Sequence, residues 1–489
     1  MEDIGKSIDV VIEIERELEL LNFKCCNIPI WWFTRERFVG LLYNKITGLN
    51  ILQSAAEYLT TKYKIKKVID SIPYIFKTSV NESFDILALS TASARRHKEN
   101  DKDFDVFFDI LSFIDNVNYV ILETPDHWYH SKNPYSKYVI YGDILSLVGN
   151  IGREFSFLYI KPNDYKRTKD LCKSIYSSLC KRGIQVEFEL LYSTILKSCA
   201  FVCATRYIVE KLLEKINPKI ILSECGYSPS HMIIQYIAKT LNIPVIELQH
   251  GLIIPNHMGY FWGINNRNQL KESPFPDKLI VFGSHFKNIL LKNPFLETLN
   301  IEVLGYPYLW LMKERYKEIK KENNAENTIL ITSQPQYSDF WADMALEIVD
   351  NSNFNVLLKP HPSELDTLEE RYGKAMQNPK IKVINTNFPL YEAFRYAEYH
   401  VSVGSTSVLE ALSFGLKNII VDKEEGGQYY KFLIDMGLPS VNTVKELLQL
   451  IKHYPEVDDI ISYVNTEVFN MNENPISLME RFLKRYLRI

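Results

Sequence analysis

The chain has 489 residues, 46% of them hydrophobic and 24% charged, with a formal charge of -4. That length exceeds one ordinary core and fits two doubly wound domains, and the globular composition excludes wholesale disorder and a membrane bundle. The charge balance carries no general polyanion-binding signature, so nucleic acid is excluded as the main partner.

The opening, MEDIGKSIDVVIEIERELELL, is acidic and lacks the basic start and apolar stretch of a secretory signal. With no run of 18 apolar residues elsewhere, the expectation is a cytoplasmic protein. A helix is predicted over WWFTRERFVGLLYNKITGL, whose apolar spacing reads Trp31 and Trp32 as core. The seven cysteines, Cys25, Cys26, Cys172, Cys180, Cys199, Cys203 and Cys225, show none of the paired spacings of a zinc site and read as buried thiols.

Short apolar runs then alternate with helix-length stretches. In the first half they cover 84–91, 118–124, 219–224, 243–251, 277–283 and 301–307. Such continuous apolar character is what strands covered on both faces require. The lysine-rich segment after Pro307 reads as a helix and connection, with a domain boundary near residue 325. A second series follows at 327–333, 355–362, 380–386, 399–405 and 417–422. The alternation predicts parallel sheets with helical crossovers, hence an α/β chain of two Rossmann-like, doubly wound domains over 1–325 and 326–465 facing a central cleft. The segment 466–489 is expected to pack across both domains as a helix. Its Arg481, Lys484, Arg485 and Arg488 beside Phe482, Leu483, Leu487 and Ile489 also suit peripheral contact with an anionic inner-membrane face.

Ligands of parallel sheets collect at the carboxyl ends of the strands, and the polar residues gather there. In GSTSVLEALSFG (404–415), Gly404 allows a tight turn, while Ser405, Thr406 and Ser407 offer hydroxyls and N–H groups at a helix start, either as a phosphate cradle or as a plain N-cap. Glu410, one turn on, is placed for ribose hydroxyls or for solvent. In LLKPHPSE (357–364), Pro360 and Pro362 stiffen the chain around His361, which suits an imidazole facing a leaving phosphate, and Lys359 adds a second positive charge. Ser333 and Gln334 end the neighbouring strand.

In the first half, KIILSECGYSPSHM and IPVIELQHGLIIPNHMGY run from strand into polar turn, with Gly226 and Gly251 turning the backbone. They place Glu224 and His250 as alternative bases for an acceptor hydroxyl. Arg95 and Arg96, in the loop TASARRHKENDKD, are placed to hold an anionic acceptor or to lie in solvent.

The succession QHG, FGSHFKNIL, VLGYP, LLKPHP and GSTSVLEALSFG resembles bacterial surface-polysaccharide glycosyltransferases of GT-B architecture, the enzymes of capsule and lipopolysaccharide biosynthesis. Within that group it is similar to sialyl- and Kdo-transferases that use CMP-sugars. The resemblance covers about residues 218–425, and by it Glu224 with Gly226 would be the acidic motif, His361 with Pro362 the His-Pro motif, and Ser405 with Thr406 the paired hydroxyls. It implies a base at Glu224, CMP phosphate held or protonated at His361, and phosphate held by Ser405 and Thr406. Cys225 stands where a second carboxylate is usual in that family, which leaves a UDP-sugar donor open.

The expected partners are a nucleotide sugar and a glycan or lipid-linked glycan acceptor. With no DxD-type turn, neither a metal nor another cofactor is expected. A sugar-nucleotide epimerase, a glycerophosphotransferase of the same fold and a non-catalytic glycan-binding protein are the alternatives.

Overall fold

The computed structural model describes residues 2–47, 69, 72–73, 82–125, 130–293, 295–296, 300–317, 325–361, 364, 367–385, 388–423 and 426–487. The chain divides into two compact units. The N-terminal unit comprises Glu2–Val281, Phe286–Val303 and Leu478–Ile489, and the C-terminal unit comprises Phe282–His285 and Leu304–Ser477. The division therefore falls after Val303, where the last strand of the first sheet ends, and not near residue 325.

The N-terminal unit opens with helix α1 (Glu2–Glu17), a hairpin of β1 (Lys24–Cys25) and β2 (Ile28–Pro29), and helix α2 (Trp31–Thr47). Trp31 and Trp32 are 0% and 1% exposed, as their spacing predicts. The Glu15 carboxylate, fully buried, takes the Trp31 indole N–H at 2.8 Å and the Arg35 guanidinium at 2.7 Å, so α1 and α2 are joined by a compensated charge. Seven parallel strands follow: β3 (Ile86–Thr91), β6 (Tyr119–Thr124), β7 (Val139–Tyr141), β8 (Ile220–Glu224), β9 (Val245–Leu248), β10 (Lys278–Val281) and β11 (Asn300–Val303). Their order is β11-β10-β9-β8-β3-β6-β7. Every neighbouring pair is parallel.

Between β3 and β6 the segment predicted as a loop is an antiparallel hairpin, β4 (Arg95–Glu99) with β5 (Lys102–Asp105). Asn100 and Asp101 form its turn, both at positive φ, a conformation that Asn and Asp accept more readily than other side-chain-bearing residues. The crossover from β7 to β8 runs through helices α3 (Asp143–Glu154), α4 (Pro162–Lys181) and α5 (Phe188–Ile216). By length and composition alone α5 would cross a membrane, and half of its most apolar window is buried, packed on α2, α3 and α4.

The C-terminal unit holds six parallel strands, β12 (Thr328–Thr332), β13 (Asn355–Lys359), β14 (Ile381–Val383), β15 (Tyr399–Ser402), β16 (Lys417–Val421) and β17 (Ser440–Val441). The order is β14-β13-β12-β15-β16-β17. Its core joins Ile329, Ile331, Val356, Leu358, Val401 and Ile419 from the sheet to Trp341 and Tyr372 from covering helices. The eleven predicted strands all form. The two-residue β17 and three-residue β7 were missed because so short a run has no period to read.

The last helix, α6 (Pro475–Leu487), begins in the C-terminal unit and passes into the N-terminal one at Leu478. Met479, Phe482, Leu483 and Leu487 are each at most 4% exposed. Lys278 caps the rings of Phe482 and Tyr486, and Arg485 pairs with Glu302 at 3.1 Å. Phe482, Leu483 and Leu487 of the apolar face predicted as a membrane contact are thus taken up by the core, because burial in protein removes them from water as fully as lipid would; Arg488 and Ile489 lie outside the described residues.

Candidate functional site

Numbered within each sheet, both orders read 3-2-1-4-5-6, the N-terminal one with an added seventh strand. In such sheets the crossovers leave in opposite directions from strands 1 and 4, so the helices part there and a crevice opens at the carboxyl ends. The C-terminal unit's switch point lies between β12 and β15, and the N-terminal unit's between β3 and β8.

At the C-terminal switch point β12 ends in Thr332, Ser333 and Gln334, flanked by the His361 loop after β13 and the 404–407 loop after β15. Thr332 Oγ1 lies 2.9 Å from His400 Nε2 and 2.8 Å from Ser407 Oγ, tying the second loop to the sheet. Burial holds His400 down at about 4, so its ring is neutral. Gln334 Nε2 donates to Ser402 Oγ at 2.8 Å, while Gln334 Oε1 is buried with no partner among the described residues. The Ser405 hydroxyl accepts the Ser407 N–H at 3.3 Å, and the Tyr430 hydroxyl donates to the Ser405 carbonyl. The N–H groups of Gly404, Ser405 and Thr406 make no backbone hydrogen bond among the described residues.

The helix that follows runs only Ser407–Ser413 and stops at Gly415, whose φ of +78° and bond to Leu412 turn the chain out of it. Gly404, by contrast, stays outside the positive-φ region, so the turn there needs no glycine. Glu410 is 8% exposed, not solvated, and its carboxylate takes the Tyr391 hydroxyl beside Tyr308 and Tyr430.

The His361 loop is braced by Glu364, a residue that sequence reasoning passed over. Its fully buried carboxylate accepts the Ser333 hydroxyl at 2.6 Å, the His361 N–H at 2.7 Å and the Tyr372 hydroxyl at 2.8 Å. The brace fixes the backbone of His361 and leaves its side chain exposed. Pro362 lies outside the described residues. Lys359 turns its ammonium to the Asn385 and Phe388 carbonyls at 2.8 and 2.7 Å, and burial lowers it to about 8.

At the N-terminal switch point Glu224 is 3% exposed, and its Oε1 accepts both the N–H and the hydroxyl of Thr91, each at 2.8 Å. The carboxylate therefore bridges strands 1 and 4. Cys225 carries the left-handed φ of 41°, and Gly226 is required for space, since a Cβ there would meet Glu247 Oε2 at 2.3 Å. The Cys225 N–H donates to His250 Nδ1 at 3.2 Å, which assigns the ring proton to Nε2, 3.2 Å from the Tyr227 hydroxyl. Bound in this way, His250 presents no vacant ring lone pair.

Glu247, one strand over, accepts the Tyr260 hydroxyl at 2.7 Å and is pushed up to about 7 by burial. A single carboxylate inside an apolar strand reads like any other strand residue, so only its surroundings mark it.

Arg95 departs from its expected role. Its guanidinium is 1% exposed, bonded to Glu123 and at 3.2 Å from Asp109, while His130 bridges Glu123 and Asp143 at 2.7 and 2.6 Å. The hairpin folds Arg95 inward, where buried carboxylates compensate its charge, so it is not offered to an anionic acceptor. Nothing is described of the Arg96 side chain.

Two tandem parallel doubly wound units define an α/β protein of GT-B make-up. No protein-family model matches the sequence, and no curated relative does. Among solved structures the chain is similar to the Neisseria meningitidis UDP-GlcNAc 2-epimerase bound to UDP-GlcNAc, at 14% identity and TM-score 0.45, covering 82% of this chain and 99% of that one. It is likewise similar to the calicheamicin glycosyltransferase CalG4, at 12% identity and TM-score 0.48 over 83% and 99%. The S. aureus MnaA–UDP co-structure gives 12% identity and TM-score 0.49 over 83% and 97%.

Proposed function

We propose that the protein is a metal-independent glycosyltransferase that moves a sugar from a nucleotide donor, with the donor's phosphate held at the C-terminal unit's switch point. The observation that carries this reading is the wiring of the β12 end, where Ser333 bonds the backbone of the His361 loop and Thr332 bonds Ser407, which draws both loops to one switch point beside N–H groups that make no backbone hydrogen bond among the described residues. Phosphate oxygens suit such groups, since several N–H donors on one turn make an anion cradle without a metal. The unpartnered Gln334 oxygen is an acceptor for a nucleotide hydroxyl or amine. His361 neutralises or protonates the departing phosphate. Glu224 takes the proton of the acceptor hydroxyl.

The motif resemblance favours a CMP-sugar such as sialic acid or Kdo, and a bacterial surface glycan as acceptor in the cytoplasm. A thermal-shift panel of CMP, CDP, UDP and GDP tests the donor, because a ligand bound only by the folded state raises apparent stability. CMP should give the largest rise; no shift with any nucleotide would overturn the reading. Incubation with nucleotide sugars alone must yield no isomer, since an isomer would make the protein an epimerase.

A further inference from the structure

The four thiols that matter here are far apart in sequence and together in the fold. The β1–β2 hairpin turns through Cys26 and Asn27, with φ of 53° and 64°, so a two-residue turn of the I′ kind sets Cys26 at its tip. That conformation favours Gly, Asn or Asp, and a cysteine there costs about 1 kcal/mol. The tip reaches the first turn of α4, where Cys26 Sγ lies 3.5 Å from Asp164 Oδ2. The sulfurs of Cys25 and Cys26 and a carboxylate oxygen of Asp164 all lie within 4.8 Å of one another. From α5, Cys199 and Cys203 present one helical face, Cys199 beside Cys25 and Cys203 beside Cys26, with Cys203 also near Cys25 and Asp164.

We propose that Cys25, Cys26, Cys203 and Asp164 bind a zinc ion that fastens the hairpin to helices α4 and α5. Three thiolates and one carboxylate are a ligand set zinc accepts in tetrahedral closed sites, and bonds of about 2.3 Å to sulfur place neighbouring ligands about 3.8 Å apart. Cys25, Cys26 and Asp164 close from within 4.8 Å by movements of about 1 Å, and Cys203, outside that group, swings in from α5 beside Cys26. Asp164 Oδ1 meets the Arg167 guanidinium at 3.4 Å, while Oδ2 faces Cys26 Sγ at 3.5 Å and is the oxygen a zinc ion would take; two disulfides, Cys25 to Cys199 and Cys26 to Cys203, would satisfy the sulfurs and leave Oδ2 against an uncharged sulfur. Cysteines buried for packing alone look different here: Cys172 has burial as the one cause of its raised value, to about 12.

The site lies outside both switch points, and the test is independent of nucleotide binding. The full chain, purified reduced and without chelator, should retain about one zinc per chain by elemental mass spectrometry. Cobalt replacing it should show thiolate charge-transfer and tetrahedral ligand-field bands. Cys203→Ser and Asp164→Asn should lose zinc at least about tenfold more readily to a competing chelator, whereas Cys180→Ser, altering an exposed thiol, should not. Stripping the metal should lower the melting midpoint by about 5 °C or more. Should a variant fail to fold, the wild-type metal content and cobalt spectrum decide alone. Reduced wild-type protein that keeps no zinc when offered it, or a peptide map showing Cys26 joined to Cys203 in freshly isolated protein, overturns the proposal.

Discussion

At the C-terminal switch point hydroxyls and backbone amides gather beside the exposed His361, and the buried carboxylate of Glu364 takes the Ser333 hydroxyl, the His361 N–H and the Tyr372 hydroxyl. At the N-terminal switch point the same strand order ends in carboxylates and a neutral histidine, with Glu224 across strands 1 and 4 and Glu247 titrating at about 7. A shared topology opens the same crevice twice, and the residues that follow each strand decide its chemistry. Under the proposed function, the first crevice takes the donor's phosphate and the second takes the acceptor's proton.

The contrast breaks most sharply at the two buried carboxylates. Glu364→Ala would leave three donors unmet and should destabilise the protein by about 3 kcal/mol or more in urea unfolding, with Glu364→Gln costing less. A loss below about 1 kcal/mol would show that the brace is incidental. For Glu247, a folded value of about 7 stands above the 4.5 of a free side chain. Between those values the folded chain keeps a proton that the unfolded chain has released, so stability falls as pH rises through that window and stays lowered above it. Glu247→Gln should abolish that slope and be the more stable form at pH about 8 by up to about 3 kcal/mol. Identical pH profiles for variant and wild type would contradict the assignment.

Smaller changes sharpen the comparison. His361→Ala should lower turnover about a hundredfold with stability within about 0.5 kcal/mol of wild type, because the side chain is exposed while its backbone is braced. Near-normal turnover would remove the imidazole from the chemistry. Last, neighbouring hydroxyls should separate: Ser407→Ala, losing the buried bond to Thr332, costs about 1 kcal/mol of stability, whereas Thr406→Ala weakens nucleotide affinity about tenfold and leaves unfolding unchanged. Calorimetry on both variants reads the difference.

The sequence by itself determined the class of fold and the strand ends that matter. Eleven apolar runs became eleven strands because a strand covered on both faces must be apolar throughout, and parallel pairing follows from the helices between them. His361, Ser333, Gln334 and the 404–407 loop were legible because polar residues directly after such a run lie at the carboxyl edge. Tertiary structure alone decided which polar side chains face inward. Arg95 looked like a loop residue and is a core cation; Glu364 and Glu247 looked ordinary and are buried; Gly226 serves Glu247, not the turn. Cys26 and Cys203 meet across 177 positions. Burial and partnership of charge depend on what the rest of the chain places opposite, and no local pattern of residues encodes that.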